Sequence, residues 1–161
     1  MPAITPCLWF DGRAEEAAEF YSSVFPDARI TGVMRSPADN PSTRAGEVLL
    51  VTFAIGDRGF TALNGGPQFP FTQAVSFEID CADQAEVDHY WEALVAGGGE
   101  HSQCGWLKDR FGVSWQVVPR QMGEYLGGPD AAGRGRAMEA MLEMARLDIE
   151  ELRRAYEGTV G

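Results

Sequence analysis

Cys104-Gly105-Trp106-Leu107-Lys108-Asp109-Arg110-Phe111-Gly112-Val113-Ser114-Trp115-Gln116-Val117-Val118-Pro119 is the stretch from which the rest of the chain is read. Gly105 to Lys108 and Val113 to Pro119 read as short strands, and the intervening Asp/Gly-containing residues read as their turn. An echo lies upstream. Asp57-Arg58-Gly59-Phe60-Thr61 matches Asp109-Arg110-Phe111-Gly112-Val113-Ser114 with one residue inserted. Phe20-Tyr21 and Tyr90-Trp91 stand 70 residues apart, and so do the strand starts at Ile4 and Ala74. A repeated element order at a fixed offset predicts a duplicated supersecondary unit.

In the first copy, Ile4 to Phe10 is expected to be a strand, with Asp11 as N-cap of a helix from Arg13 to Phe25. Ala14, Ala17, Ala18, Tyr21 and Val24 form its apolar stripe, while Glu15, Glu16 and Glu19 take the wet side. A strand from Arg29 to Arg35 follows, then a Pro/Ser/Asn loop from Ser36 to Ala45 that is expected to be the most mobile segment. A hairpin of Glu47 to Ile55 and Phe60 to Asn64 closes the unit. The second copy runs from a strand at Ala74 to Asp80, through a helix at Asp83 to Ala96 ended by Gly97-Gly98-Gly99, to strands at Glu100 to Cys104 and in the opening segment. The order is βαβββ twice. Modules are expected at 1–66 and 67–120, with a helical extension at 121–161. In that extension Met138, Met141, Leu142, Ala145, Ile149, Leu152 and Tyr156 recur at helical spacing, which predicts a helix over Arg136 to Tyr156 kinked near Asp148. A Met-rich stripe of this kind suits packing against a core or a partner.

The 161 residues are 45% hydrophobic and 23% charged, an ordinary globular balance. The longest apolar run, Val48 to Ile55, is too short to span a bilayer, so no membrane partner is expected. The first residues show neither a basic nor an apolar signal region. Cys7, Cys81 and Cys104 are odd in number and widely spaced, which fits reduced thiols in a cytoplasmic protein. With a formal charge of −11 and Lys108 as its one lysine, the chain is not expected to bind nucleic acid.

Several segments resemble the PhnB-like family, often labelled a 3-demethylubiquinone-9 3-methyltransferase domain, within the vicinal-oxygen-chelate (glyoxalase and bleomycin-resistance) superfamily. They are Ile4-Thr5-Pro6-Cys7-Leu8-Trp9-Phe10-Asp11-Gly12, Glu15-Glu16-Ala17 with Phe20-Tyr21 and Phe25-Pro26, Ala62-Leu63-Asn64-Gly65-Gly66-Pro67, and the opening segment. The resemblance implies an α+β glyoxalase-like fold in which two βαβββ modules form a curled mixed sheet around a cup, with C-terminal helices added, and a homodimer. In metal-dependent members of that superfamily four ligands lie on the inward faces of the first and last strand of each module. The matching positions here are Pro6, Leu63, Ala74 and Gln116, and a two-residue slip offers only Leu8, Thr61, Ser76 or Glu78, and Ser114 or Val118. Divalent cations want several imidazoles, thiolates or carboxylates converging, so no metal and no other cofactor is expected. His101 and Cys104 lack further partners in sequence, and His89 falls on the wet side of its helix.

The cup is expected to bind an unidentified small, partly apolar molecule, with Leu8, Leu63, Trp106, Phe111 and Trp115 as walls and Asn64, Ser76, Glu78 and Gln116 as polar contacts. An enzyme is the alternative, with Glu78 as a general base or Cys104 as a nucleophile activated by Lys108 or His101. A dimeric interaction module is a third reading. Methyl transfer from S-adenosylmethionine finds no glycine-rich turn leading from a strand into a helix: Asn64-Gly65-Gly66-Pro67 runs into proline, and Gly97-Gly98-Gly99 follows a helix.

Overall fold

The computed structural model describes residues 2–159. The chain divides into two compact units, Met1–Phe71 and Thr72–Gly161. Each unit holds a four-stranded mixed sheet, in the α+β arrangement expected of two βαβββ modules.

The first unit comprises β1 (Cys7–Phe10), α1 (Ala14–Val24), β2 (Ala28–Arg35), β3 (Val48–Ile55) and β4 (Arg58–Asn64). The sheet order is β1-β4-β3-β2, with β1 parallel to β4 and the other pairs antiparallel. Ala14, Ala17, Ala18, Tyr21 and Val24 bury the expected stripe of α1, and Phe20 is buried beside them. Tyr21 stacks on Phe53 at 5.7 Å, and Phe53 on Phe60 at 5.1 Å. Asp11 does not cap this helix. The Oδ1 of Asn64, at the end of β4, accepts the Ala14 N–H at 2.9 Å, and its amide donates to the Val48 carbonyl. The cap comes from 50 residues away. At the sheet's edge, β2 carries two register shifts, between Ile30 and Gly32 and between Met34 and Arg35.

The loop after β2 is a cross-linked knot, not the free segment its composition suggests. Asn40 Oδ1 accepts the Ser42 and Thr43 N–H groups, its amide donates to Ser36 Oγ and Thr43 Oγ, and Asp39 Oδ1 accepts the Ala45 N–H. Short polar side chains hold the backbone where no ladder can.

The second unit comprises β5 (Ser76–Cys81), α2 (Gln84–Val95), β6 (Glu100–His101), β7 (Trp106–Lys108), β8 (Ser114–Pro119), α3 (Met122–Gly127), α4 (Ala131–Glu143) and α5 (Ile149–Glu157). Its sheet order, β5-β8-β7-β6, repeats that of the first. Asp83 caps α2 by accepting the Glu86 N–H, and Glu86 reaches back to the Ala82 N–H. Val87, Trp91 and Leu94 form the buried side of α2. The two echoing hairpins differ at their turns. Asp57 lies exposed in a two-residue turn, whereas Asp109 is 1% exposed inside a five-residue one.

The predicted long helix is two helices, α4 and α5. The main-chain N–H groups of Cys104 and Gly105 take the carbonyls of Met144 and Ala145 at 2.8 Å each, and Asp148 starts α5 by accepting the Glu151 N–H. Gln84 clamps the same connection, donating to the Leu147 carbonyl and accepting the Ile149 N–H. Met144, Leu147 and Leu152 form a small core there, while Met138 and Leu142 stay exposed. Among the described residues no helix is long and apolar enough to cross a membrane.

All three cysteines are free: Cys7 exposed, Cys104 half-buried and Cys81 buried. Burial, with the Glu86 and Asp80 carboxylates adding to it, pushes the Cys81 thiol from 9.0 up to about 12. Iodoacetamide at neutral pH should therefore modify Cys7 first and Cys81 only on unfolding, read by mass spectrometry of tryptic peptides. Labelling of native Cys81 at the Cys7 rate would contradict this burial.

Candidate functional site

Strand pairing sorts the predicted site residues between sheet faces. In the second unit the face toward α2 is marked by His101, whose ring stacks on Trp91 at 4.2 Å and whose Nε2 sits 3.0 Å from the Trp91 carbonyl oxygen. His101 pairs with Leu107, and Leu107 with Trp115, so those side chains share that face. Trp115 is 3% exposed and donates its indole N–H to Asp109 Oδ2 at 2.9 Å. It belongs to the core and not to a cup wall. Phe111 is off the strands altogether, in the β7–β8 turn, with the Arg110 guanidinium 5.1 Å above its ring.

The opposite face gathers four of the expected residues into order. Glu78 pairs with Gln116, and Gln116 with Trp106, giving one row across β5, β8 and β7. Two residues along each strand a second row runs Ser76, Ser114, Lys108, Glu100 across β5, β8, β7 and β6. Gln116 Nε2 donates to Ser76 Oγ at 2.9 Å, tying the rows together. Lys108 Nζ meets Glu100 Oε2 at 2.9 Å. A cavity of about 440 Å³ opens on this side at β6 and β7, and its wall includes Trp106, Lys108, Ser114, Glu100, Gln73 and Cys104. Glu78 is exposed and lies outside that wall, so the enclosed carboxylate anticipated from sequence is an open one.

Ser114 and Lys108 were not among the expected ligand contacts. Period two along a strand finds both: Ser114 is two residues before Gln116, and Lys108 two after Trp106.

In the first unit, Leu63 shares the face away from α1 with Trp9, its β1 partner. Leu8 pairs with Ala62 and is buried on the helix side, as is Asn64 in its capping role. Both therefore sit on the wrong face for a cup. Trp9 donates its indole N–H to the Gly66 carbonyl at 2.7 Å and lies flat on Gly65, where a Cβ would come within 2.2 Å of the ring. The Gly65-Gly66 pair thus serves tryptophan packing.

Cys104 adopts a left-handed backbone, φ 56°, rare for a residue with a side chain. Its Sγ donates to the Met141 carbonyl at 3.5 Å. The groups expected to activate it are engaged elsewhere, Lys108 with Glu100 and His101 with Trp91. His89 is exposed on α2 against Tyr90. Of the positions matching the superfamily's metal ligands, Pro6 gives its carbonyl to the Thr61 N–H, and Leu63 and Ala74 carry no donor side chain. Among the described residues no three His, Cys, Asp or Glu side chains come together, and this donor set does not fit a divalent ion.

A family model described as 3-demethylubiquinone-9 3-methyltransferase matches residues 2–118, stopping before α3, α4 and α5. A solved structure described as a putative 3-demethylubiquinone-9 3-methyltransferase, the PhnB protein from Bacillus cereus, is 31% identical, with a TM-score of 0.65 over 73% of this chain and 99% of its own. Protein PA1353 from Pseudomonas aeruginosa is 22% identical, with a TM-score of 0.61 over 74% of this chain and 98% of its own. The fosfomycin resistance protein FosX from Mesorhizobium loti shares the fold at 17% identity, with a TM-score of 0.52 over 72% of this chain and 89% of its own. No curated protein matches the chain. With a duplicated βαβββ order and a family match over both sheets, the chain belongs to the PhnB-like, 3-demethylubiquinone-9 3-methyltransferase family of the vicinal-oxygen-chelate superfamily.

Proposed function

We propose that the face of the second sheet away from α2 binds a small, partly apolar molecule without a metal ion. The observation that carries this is the row Glu78–Gln116–Trp106, which puts one aromatic surface and two polar side chains side by side next to an open cavity. Area from an indole and direction from a few hydrogen bonds are what a small-molecule site needs. The methyltransferase description of the family and of its Bacillus cereus member does not extend to this chain by residue chemistry. Its one strand-following glycine pair is filled by Trp9, and no helix opens after it. A cytoplasmic homodimer fits the free thiols and the apolar Met138 and Leu142 left exposed on α4.

A screen of planar metabolites, read by the ¹⁵N shift of the Trp106 indole, tests the reading. Ligands should move that signal, and Gln116→Leu should weaken them about tenfold by removing a directing amide. No shift with any compound would reject the site. Stoichiometric zinc, nickel or iron in protein purified without chelator would reject its metal-free character. One feature favours a second reading, an enzyme: Cys104 holds its left-handed backbone at the wall of the same cavity. Under that reading Cys104→Ser abolishes turnover of a compound that still binds.

A further inference from the structure

We infer that the molecule bound on this face carries a single carboxylate, held between Lys108 and Ser114 while its ring lies on Trp106. This rests on the binding site proposed above and specifies what occupies it.

Ser114 provides the first reason. The residue is 2% exposed, lines the cavity, and its Oγ has no hydrogen-bond partner. A buried hydroxyl left unpaired costs about 1–3 kcal/mol, and native interiors rarely leave one so. A ligand oxygen arriving in the cavity would satisfy it.

Lys108 provides the second. It pairs directly with Ser114 across β7 and β8, which sets the two side chains side by side on one face. Its ammonium is held by Glu100, and the two side chains are 38% and 70% exposed. An ion pair that open is weak and exchanges readily with water. A ligand anion can therefore share or take the ammonium without breaking anything the fold depends on. Gln116 already gives its Nε2 to Ser76, so in the adjoining row its Oε1 is left to direct the ligand and Trp106 gives apolar support.

The charge count selects the class. Lys108 is the one lysine or arginine in the cavity wall, and Glu100 already stands beside it. Ser102, Gln73 and Gln103 add only neutral polar groups to the wall, so the one ammonium of Lys108 matches the single charge of a carboxylate. A phosphate dianion would keep a charge unmatched next to Glu100, in a chain of formal charge −11. The cavity volume of about 440 Å³ accommodates a single substituted ring.

Benzoate and its neutral isostere benzamide make the test on the full chain, read by the ¹⁵N shifts of Trp106 Nε1 and of the Ser114 amide. Benzoate should bind more tightly than benzamide. Lys108→Met should weaken benzoate about five- to tenfold and leave benzamide unchanged, whereas Ser114→Ala should weaken both. Glu100→Gln should tighten benzoate several-fold by releasing the ammonium. Circular dichroism of each variant confirms its fold, and for Lys108→Met the retained benzamide affinity is a second control. If benzamide binds as well as benzoate, or if Lys108→Met keeps full benzoate affinity, the carboxylate inference is overturned while the binding site stands. If neither compound moves the Trp106 signal while another planar metabolite does, the carboxylate inference is overturned and the site stands; if no compound moves it, both fall.

Discussion

Asp109→Ala should lower the free energy of unfolding by about 3 kcal/mol, the largest loss of any single change outside the apolar cores. Asp109 is 1% exposed, and its carboxylate accepts three hydrogen bonds: Phe111 N–H at 2.9 Å, Val113 N–H at 3.0 Å and the Trp115 indole N–H at 2.9 Å. Removing it strands two buried donors, the Val113 N–H and the Trp115 indole N–H, and a half-buried one at Phe111. Asp109→Asn should cost less. An amide oxygen can still accept the two main-chain donors, but its NH₂ then faces the Trp115 N–H. Urea unfolding measures both, with the midpoint shifted and the slope unchanged. A loss below about 0.5 kcal/mol for the alanine variant would remove Asp109 from its place at the centre of this turn.

Leu147→Ala should cost a similar amount, about 3 kcal/mol, through a cavity in the core that joins the C-terminal helices to the second sheet. Leu147 is fully buried with Met144 and Leu152, and Met122, Tyr125 and Met141 pack around them. It also presses on Gly105, where a Cβ would approach Leu147 Cδ1 to 2.9 Å and the Val117 carbonyl to 2.7 Å. The effect should therefore be local. Hydrogen exchange should accelerate in α4 and α5, and at the Cys104 and Gly105 amides that bond to Met144 and Ala145, while β3 and β4 keep their protection. Uniform acceleration across both units would show that the extension is not a separable layer.

The fold was legible because its signals are periodic: two helices with apolar stripes, alternating strands, and an element order that repeats at a fixed offset. Which residues share a face of the candidate site was legible only in the second unit. Ser76, Glu78 and Gln116 alternate with Phe77, Ile79, Trp115 and Val117, so polarity alone separates the faces of β5 and β8. In β1, by contrast, Leu8 and Phe10 alternate with Cys7 and Trp9, and all four are apolar. Nothing in such a strand says which side looks inward, and the register set by β4 puts Leu8 with the core and Trp9 opposite. Asn64 and Trp115 were misplaced for another reason. Asn64 was expected as a polar contact and Trp115 as an apolar wall, but Asn64 caps the N-terminus of α1, 50 residues away, and Trp115 turns into the core to reach Asp109. Tertiary hydrogen bonds leave no local trace in sequence.

The interrupted register of β2 bears on how the protein survives at high concentration. An uncovered outer strand invites a neighbouring molecule to extend the sheet, the first step toward fibrils. Two irregularities within Ala28–Arg35 break the even spacing of donors and acceptors that such an intruder would have to match. Arg29 and Arg35 near its ends, each anchored to a carbonyl of its own unit, add like charge against a second copy of the same strand. Straightening this strand would leave the isolated fold intact and raise its tendency to polymerise.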